Sequence, residues 1–249
     1  MTTASDLAWL AAPVAALLAA CLVLVPLGAQ VLARGVVFID LAVAQVAACG
    51  VLAVSMLVPD PPAWLTALAA AGAALAGAGL VWWLARRWPQ QREALIGLVY
   101  VAGAGACVIA AAFDPHGRER LTALLAADVL WAPWPGVVLL WLAALVVSVL
   151  AWRAPALLGL DRWFYPLFAL ALSVAVPVLG LYLVFALLIG PALWSRRGAR
   201  AGVGLVLGVV ACLAGLGISW ALDWPSGASL AVALCALGLG SCLLRLPRA

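Results

Sequence analysis

The stretch RGVVFIDLAVAQVAACGVLAV, residues 34–54, places Asp40 and Gln45 inside an apolar run long enough to cross a bilayer. An ionised Asp near the middle of a membrane span costs about 2.5–3.5 kcal/mol on insertion scales, so such residues usually face a bundle interior or a solute pathway. The alternative is an inter-helix hydrogen bond that only orders the bundle. The stretch therefore predicts a transmembrane helix whose two polar residues point away from lipid.

The whole chain has the composition of an integral membrane protein. Of its 249 residues 69% are hydrophobic and 9% are charged, and the mean hydropathy is +1.24. Repeated apolar runs of about 20 residues are typical of membrane helices, so we predict an all-α, polytopic protein with one transmembrane domain over residues 1–249. The thirteen basic residues are all Arg and lie in short loops, a pattern that sets membrane orientation and argues against nucleic acid as a partner.

Eight apolar runs are candidate spans. They cover residues 7–32, 36–58, 64–85, 94–113, 134–152, 163–194, 201–222 and 228–244. No basic residue precedes the first run, unlike a secretory signal peptide, so we expect it to be retained as a helix. The run from Trp163 to Trp194 would be roughly 48 Å long as one helix, against a hydrocarbon core of about 30 Å, and it contains Pro177 and Gly180. Eight or nine spans are both compatible with these lengths.

The placement of Arg decides between them. With nine spans and the N-terminus outside, eleven of the thirteen Arg lie on the cytoplasmic side, and only Arg118 and Arg120 lie outside. With eight spans the Arg are divided almost evenly, which the positive-inside tendency disfavours. We therefore predict about nine transmembrane segments, with the N-terminus outside and the C-terminus inside.

Few residues offer chemistry for an enzyme. His116 is the only histidine, which excludes a two-histidine metal site within one chain; we give it at most a minor part in capturing metal at the outer mouth. A chain without Lys lacks the P-loop lysine that reaches the β- and γ-phosphates of ATP. The protein is therefore expected to be no enzyme, and any pumping would draw energy from a partner or an ion gradient.

The loop RAPALLGLDRW, residues 153–163, separates two spans on the predicted cytoplasmic side. Pro near its start and Gly159 near its end indicate a short helix over about residues 153–161. Such a helix can dock into a groove of another protein, and an ordinary amphipathic connector would have the same sequence.

Five motifs resemble, in order, the permease subunit of the bacterial zinc/manganese/iron family of ABC importers. They are PLGAQVLARGVVFIDLAVAQVAACG (26–50), REALIGLVYVAGAGACVI (92–109), LTALLAADVLW (121–131), LGLYLVFALLIGPALWSRR (179–197) and WALDWPSGASLAVALC (220–235). The resemblance extends from about Val25 to Leu243. It implies a permease that works by alternating access, with ATP hydrolysed by a separate subunit.

The resemblance also implies roles for individual residues. Asp40 matches the acidic residue of the family's D-x-x-x-H metal gate, but the histidine is replaced by Ala44, with Gln45 one position later. Asp128 matches the acidic residue of a G-D-x-L element, and Glu93 the one that opens the fourth helix, where a helix N-terminus favours a carboxylate. The translocation path is thus assigned to Asp40, Gln45 and Asp128. The ATPase-coupling helix is assigned to Arg153, Ala154, Ala156, Leu157, Gly159 and Asp161.

From this resemblance we expect an importer of divalent metal, zinc or manganese first and iron third, with no permanently bound cofactor. The expected partners are a cytoplasmic ABC ATPase, an extracytoplasmic metal-binding protein, a second copy of the chain and the lipid of the bacterial inner membrane. Two copies would bring two Asp40 carboxylates to one axis. The alternatives are a permease for a metal chelate such as an iron–siderophore, an ion-coupled secondary transporter, and a membrane protein that transports nothing.

Overall fold

Helices form almost all of the part of the chain that the structure, a computed structural model, describes: residues 10–58, 61–113, 117–125, 127–196 and 201–243. The helices are α1 (Ala11–Arg34), α2 (Ile39–Leu57), α3 (Ala63–Arg87), α4 (Arg92–Phe113), α5 (Gly117–Leu125), α6 (Trp134–Arg153), α7 (Pro155–Gly159), α8 (Asp161–Leu179), α9 (Leu181–Arg196), α10 (Ala201–Leu222) and α11 (Ser226–Leu243). Short 3-10 turns cover Pro89–Gln91 and Val129–Trp131. The predicted all-α membrane fold is confirmed.

Seven of the described helices are long and apolar enough to cross a membrane: α1, α2, α3, α4 (counted from Pro89), α6, α8 and α10. The apolar parts of α9 and α11 are shorter, at Leu181–Trp194 and Ser226–Ser241. At 1.5 Å per residue, the 16 residues of α9 extend only about 24 Å, less than the hydrocarbon core of about 30 Å. These nine helices correspond to the nine predicted spans, whereas the orientation of the termini stays a prediction.

The long run from Trp163 to Trp194 forms two helices, because the chain breaks at Gly180. Gly180 has φ 77° and ψ 155°, a conformation that residues with a Cβ rarely adopt. Pro177 lies in the last turn of α8, and the Gly180 amide donates to the Val176 carbonyl at 2.8 Å. The structure therefore favours nine membrane helices over eight.

Two packed groups of helices surround the core. In the first group, α1 packs against α6, α9 and α10, and α11 packs against α9 and α10. In the second group, α2 packs against α3 and α4, and α3 packs against α8. Gly28 permits the contact of α1 with α9, since a Cβ at this position would overlap the Leu188 carbonyl. Small residues at such positions let membrane helices approach closely.

The sequence did not predict α5. This nine-residue helix lies between the predicted spans 94–113 and 134–152, and its low apolar content hides it from a search for spans. It packs mainly on α4, and with fewer contacts on α2, α8 and α9. Its apolar residues Leu121 and Leu125 line a cavity that α2, α4, α9 and α11 also border.

Candidate functional site

Asp40 lies in the first turn of α2, near one end of the helix, in agreement with its place close to the start of the predicted span 36–58. Its side chain is 1% exposed, and neither carboxylate oxygen has a hydrogen-bond partner among the described residues. The free amides of a helix N-terminus favour a carboxylate there, which lowers the cost of burying it. A buried polar group without a partner is rare in proteins, so Asp40 is a strong candidate for a functional group.

A second carboxylate holds the turn that leads into Asp40. The chain leaves α1 through Gly35, whose φ of 61° is left-handed, and the next turn presents the Val37 amide to α4. Glu93, in the first turn of α4, accepts this amide through Oε1 at 2.9 Å. Its Oε2 is buried without a partner among the described residues. Glu93 therefore has a role beyond placing a negative charge at the N-terminus of its own helix. Its hydrogen bond to Val37 connects α4 to the turn that precedes α2.

Gln45 lines a central cavity of about 420 Å³ between α2, α4, α5, α9 and α11. The lining residues are Leu41, Gln45, Tyr100, Ala104, Val108, Leu121, Leu125, Leu181, Tyr182, Phe185, Ala186, Ala231 and Cys235. The side-chain Oε1 of Gln45 is buried and has no partner among the described residues. Of the two predicted pathway residues on α2, Gln45 lines this cavity and Asp40 does not.

Two tyrosines add polar groups to this cavity, and the sequence reasoning missed them. Tyr100 comes from α4 and Tyr182 from α9. The chain contains only three tyrosines. Their rarity within apolar spans was a signal that could have marked them, because a phenol hydroxyl in a membrane usually finds a polar partner.

Asp128 has a structural contact in this protein. Its Oδ1 accepts the Leu130 amide at 3.1 Å, which caps the 3-10 turn Val129–Trp131, and it also accepts the Ser226 hydroxyl at the start of α11. Asp128 therefore joins the α5–α6 connection to α11. It does not line the central cavity that contains Gln45.

The predicted coupling segment forms α7, a helix of only five residues, Pro155–Gly159, between α6 and α8. Leu158 is 3% exposed and points into the protein, whereas Leu157 and Leu160 are 36% and 47% exposed. Ala156 and Gly159 are also exposed, and Ala154 is half-buried. The segment thus presents a small, partly apolar surface to the outside.

Arg153, also assigned to the coupling segment, is the last residue of α6, and its guanidinium lies over the Trp152 ring.

Arg34, which the sequence reasoning only counted as a loop charge, holds α7 in place. Its Nη2 donates to the Leu158 and Gly159 carbonyls at 2.8 and 2.9 Å, and its Nε pairs with Asp161 Oδ1 at 3.1 Å. The guanidinium also lies 4.0 Å from the centre of the Phe164 ring. One side chain from the end of α1 therefore fixes both the end of α7 and the start of α8.

His116 lies outside the described residues. Among the described residues, no group of three or more His, Cys, Asp or Glu side chains is close enough together to hold a metal ion. Two cysteines do meet: Cys49 of α2 and Cys107 of α4 have their sulfur atoms 3.1 Å apart.

Comparison with known proteins identifies the family. A model of the ABC 3 transport family matches residues 7–245, almost the entire chain. The chain belongs to the ABC 3 transport family. This confirms the resemblance to an ABC transporter family that the five sequence motifs predicted, and the multi-pass helical structure agrees with it.

A solved structure shares the fold of this ABC 3 family member. PsaBC from Streptococcus pneumoniae, in complex with Fab, is similar with a TM-score of 0.76 and 16% sequence identity, over 98% of this chain and 94% of the other. At this identity the similarity concerns the fold. No curated protein sequence is significantly similar to the chain.

Proposed function

We propose that the chain is the membrane permease subunit of an ABC importer that moves a divalent metal ion into the cytoplasm. The observation that carries this proposal is the buried Asp40 carboxylate, which has no hydrogen-bond partner among the described residues. A carboxylate is kept in such a place at a cost in stability, and binding a cation offsets that cost.

The ligand set supports transient binding of the metal. Asp40 offers a buried carboxylate and Gln45 a buried amide oxygen at two separate places along α2, and no group of three or more His, Cys, Asp or Glu side chains among the described residues could enclose an ion. A transport pathway needs a site that admits the ion and still releases it. Oxygen donors suit manganese better than zinc, which usually prefers nitrogen and sulfur, so we place manganese before zinc.

The proposed partners follow from the surfaces. The exposed residues of α7 would dock on a cytoplasmic ATPase, which supplies the energy that a chain without a P-loop lysine lacks. ATP-driven movement of α7 would be transmitted through Arg34 to α1 and to the turn before Asp40. A second copy of the chain and an extracytoplasmic metal-binding protein complete the importer that we propose for the bacterial inner membrane.

The test is the metal content of cells that lack the gene, complemented with wild-type protein, Asp40→Asn or Asp40→Ala, under limiting manganese, zinc or iron. Asp40→Asn keeps the shape of the side chain and removes its charge. We expect both variants to lower accumulation of one metal by at least about tenfold, at normal amounts of membrane-inserted protein.

The matched control is Asp223→Asn, which removes an exposed carboxylate at a left-handed position that Asn also tolerates. It should leave accumulation unchanged. Wild-type accumulation in the Asp40→Asn strain would remove Asp40 from the pathway. Uptake that persists without any ATPase partner would favour an ion-coupled secondary transporter instead.

A small metal chelate is the second candidate, and the size of the cavity favours it. A volume of about 420 Å³ lies within the usual range for small-molecule sites, far above the need of a bare ion. Competition between the free metal and an iron–siderophore in the same uptake assay separates the two substrates. If only the chelate is taken up, the proposal of a free metal ion as substrate is wrong, and the chelate is the substrate.

A further inference from the structure

A basic pocket lies where the ends of four helices meet, beside α7. Its volume is about 260 Å³. It is lined by the end of α1, the turn after it, the end of α3 and the starts of α4 and α8: Ala33, Arg34, Val36, Ala85, Arg86, Arg92, Asp161 and Tyr165. Three guanidinium groups therefore surround one small space, against a single carboxylate.

The charges of this pocket are only partly balanced. Asp161 is paired with Arg34, which also bonds to carbonyls of α7. Arg86 and Arg92 have no carboxylate partner among the described residues; Arg86 lies 5.0 Å from the Trp82 ring, and Arg92 is half-buried. Glu93, the acidic neighbour of Arg92, is engaged with the Val37 amide through one oxygen. Two guanidinium groups thus remain available for an anion.

An apolar groove of about 220 Å³ adjoins the basic pocket, and the two share Asp161 and Tyr165 in their linings. The groove runs between α3 and α8, both apolar membrane helices, and its other lining residues are Leu75, Ala78, Gly79, Trp82, Arg162 and Pro166. The indole Nε1 of Trp82 is buried and has no hydrogen-bond partner among the described residues. A Cβ on Gly79 would meet no other atom within 4 Å, so the groove is open there.

We propose that this pair of cavities binds an anionic phospholipid, with the phosphate between Arg86 and Arg92 and an acyl chain in the groove between α3 and α8. Guanidinium groups bind phosphate through paired hydrogen bonds, and basic pockets between membrane helices are suited to anionic headgroups. The helix ends place the Arg at the membrane surface and the groove at the depth of the acyl chains. The site includes Arg34, which donates to the Leu158 and Gly159 carbonyls of α7, so a bound lipid would lie against the segment proposed to meet the ATPase.

The test measures lipid binding to the purified, delipidated full chain. Native mass spectrometry monitors the bound lipid while dioleoyl phosphatidylglycerol or dioleoyl phosphatidylcholine is added. We expect tighter binding of the anionic lipid. Arg86→Gln and Arg92→Gln should each weaken it about fivefold, and together about 30-fold. Arg87→Gln is the matched control, because Arg87 is adjacent in sequence and lines neither cavity. It should change binding less than about twofold.

A second pair of variants tests the groove. Gly79→Phe should block the acyl chain and weaken binding of phosphatidylglycerol about tenfold, since a buried apolar chain contributes along its length. Gly72→Phe, at an equally open position of α3 outside the groove, should not. Inorganic phosphate should compete with the lipid only weakly.

Four results would overturn the proposal. Equal binding of phosphatidylcholine would exclude recognition of charge, and an effect of Arg87→Gln as large as that of Arg86→Gln would indicate diffuse surface attraction. Full competition by inorganic phosphate with an unaffected Gly79→Phe would identify a site for free phosphate. Loss of the lipid when the ATPase is added would assign the pocket to the protein partner. None of these results depends on whether the chain transports a metal.

Discussion

Arg34 makes more identified polar contacts than any other charged side chain of the described residues, and the position of α7 depends on it. Its guanidinium contacts two carbonyls of α7, the Asp161 carboxylate, the Phe164 ring and the side chain of Gln30. Because α7 has only five residues, its own hydrogen bonds cannot keep it folded. The short helix is therefore stabilised from outside, by a residue of α1.

Replacing Arg34 with Gln should loosen α7 without unfolding the bundle. Charge-assisted hydrogen bonds contribute about 1.5–3 kcal/mol each, so losing those to Leu158 and Gly159 should raise amide exchange in residues 154–160 by at least about tenfold. Hydrogen–deuterium exchange of the purified chain measures this directly.

The matched control is Arg153→Gln, since the Arg153 guanidinium lies over the exposed Trp152 ring. In the Arg153→Gln variant, amide hydrogen exchange in α7 should stay within about twofold of the wild-type rate. Unchanged exchange in Arg34→Gln would show that α7 is held by the flanking helices alone.

Between helices, close backbone contacts at small residues determine the packing. Gly28 of α1 lies against the Leu188 carbonyl of α9, and α9 carries Tyr182 and Phe185 of the central cavity. The contact between α1 and α9 therefore positions one wall of that cavity.

Gly28→Ala should destabilise the protein by about 1–3 kcal/mol, because the added methyl group would force α1 and α9 apart. Thermal unfolding of the purified protein in detergent measures the effect. Gly105→Ala is the control: its Cβ would meet no other atom, and Ala is the better helix former, so stability should stay equal or rise. Equal stability of both variants would contradict the packing described for Gly28.

The contact between α2 and α4 offers a test of whether these helices move during transport. Gln45 of α2 and Tyr100 of α4 lie on two walls of the cavity, and Cys49 and Cys107 join the same two helices with sulfur atoms 3.1 Å apart. Alternating access changes the separation of the cavity walls, so an oxidative cross-link between these cysteines should slow metal uptake, and reductant should restore it.

Cys49→Ser should abolish both the cross-link and the sensitivity to oxidant. The measurement is performed in a Cys21→Ser background, because Cys21 and Cys212 form a second close pair with their sulfur atoms 4.0 Å apart. Normal uptake by fully cross-linked protein would mean that α2 and α4 move together as one unit.

The topology predicts which loops face the cytoplasm. The ends of α1 and α3 and the starts of α4 and α8 meet around one Arg-lined pocket beside α7, so these helix ends lie on one side of the membrane. The positive-inside tendency assigns that side to the cytoplasm.

A single cysteine placed at Ala156 in α7, in a cysteine-free chain, should react with a membrane-impermeant maleimide only after the cells are opened. Ala63→Cys is the matched variant, because Ala63 is exposed at the opposite end of α3. It should react in intact cells. The reverse pattern would invert the predicted orientation.

The sequence alone determined the features that depend on local composition. Hydropathy and length located the membrane helices, the α10 bounds agree with the predicted span, and α7 lies within the predicted segment 153–161. Gly and Pro marked the break at Gly180 because both act on the backbone at their own position. Gln45 is buried, as expected of a polar side chain that stands out in an apolar run, and its part in a translocation path stays a prediction.

Only the tertiary structure decided which distant residues meet. Arg34 and Asp161 are 127 positions apart, and nothing in either local sequence indicates the pair. Tertiary packing likewise brings together four other sets of residues that are distant in sequence. These are the contact of Asp128 with Ser226, the hydrogen bond of Glu93 to the turn before Asp40, the tyrosines of the cavity and the basic pocket. Apolar helices have little angular preference of their own, so their rotation and neighbours are set by packing between whole helices, and that packing brings the polar side chains together.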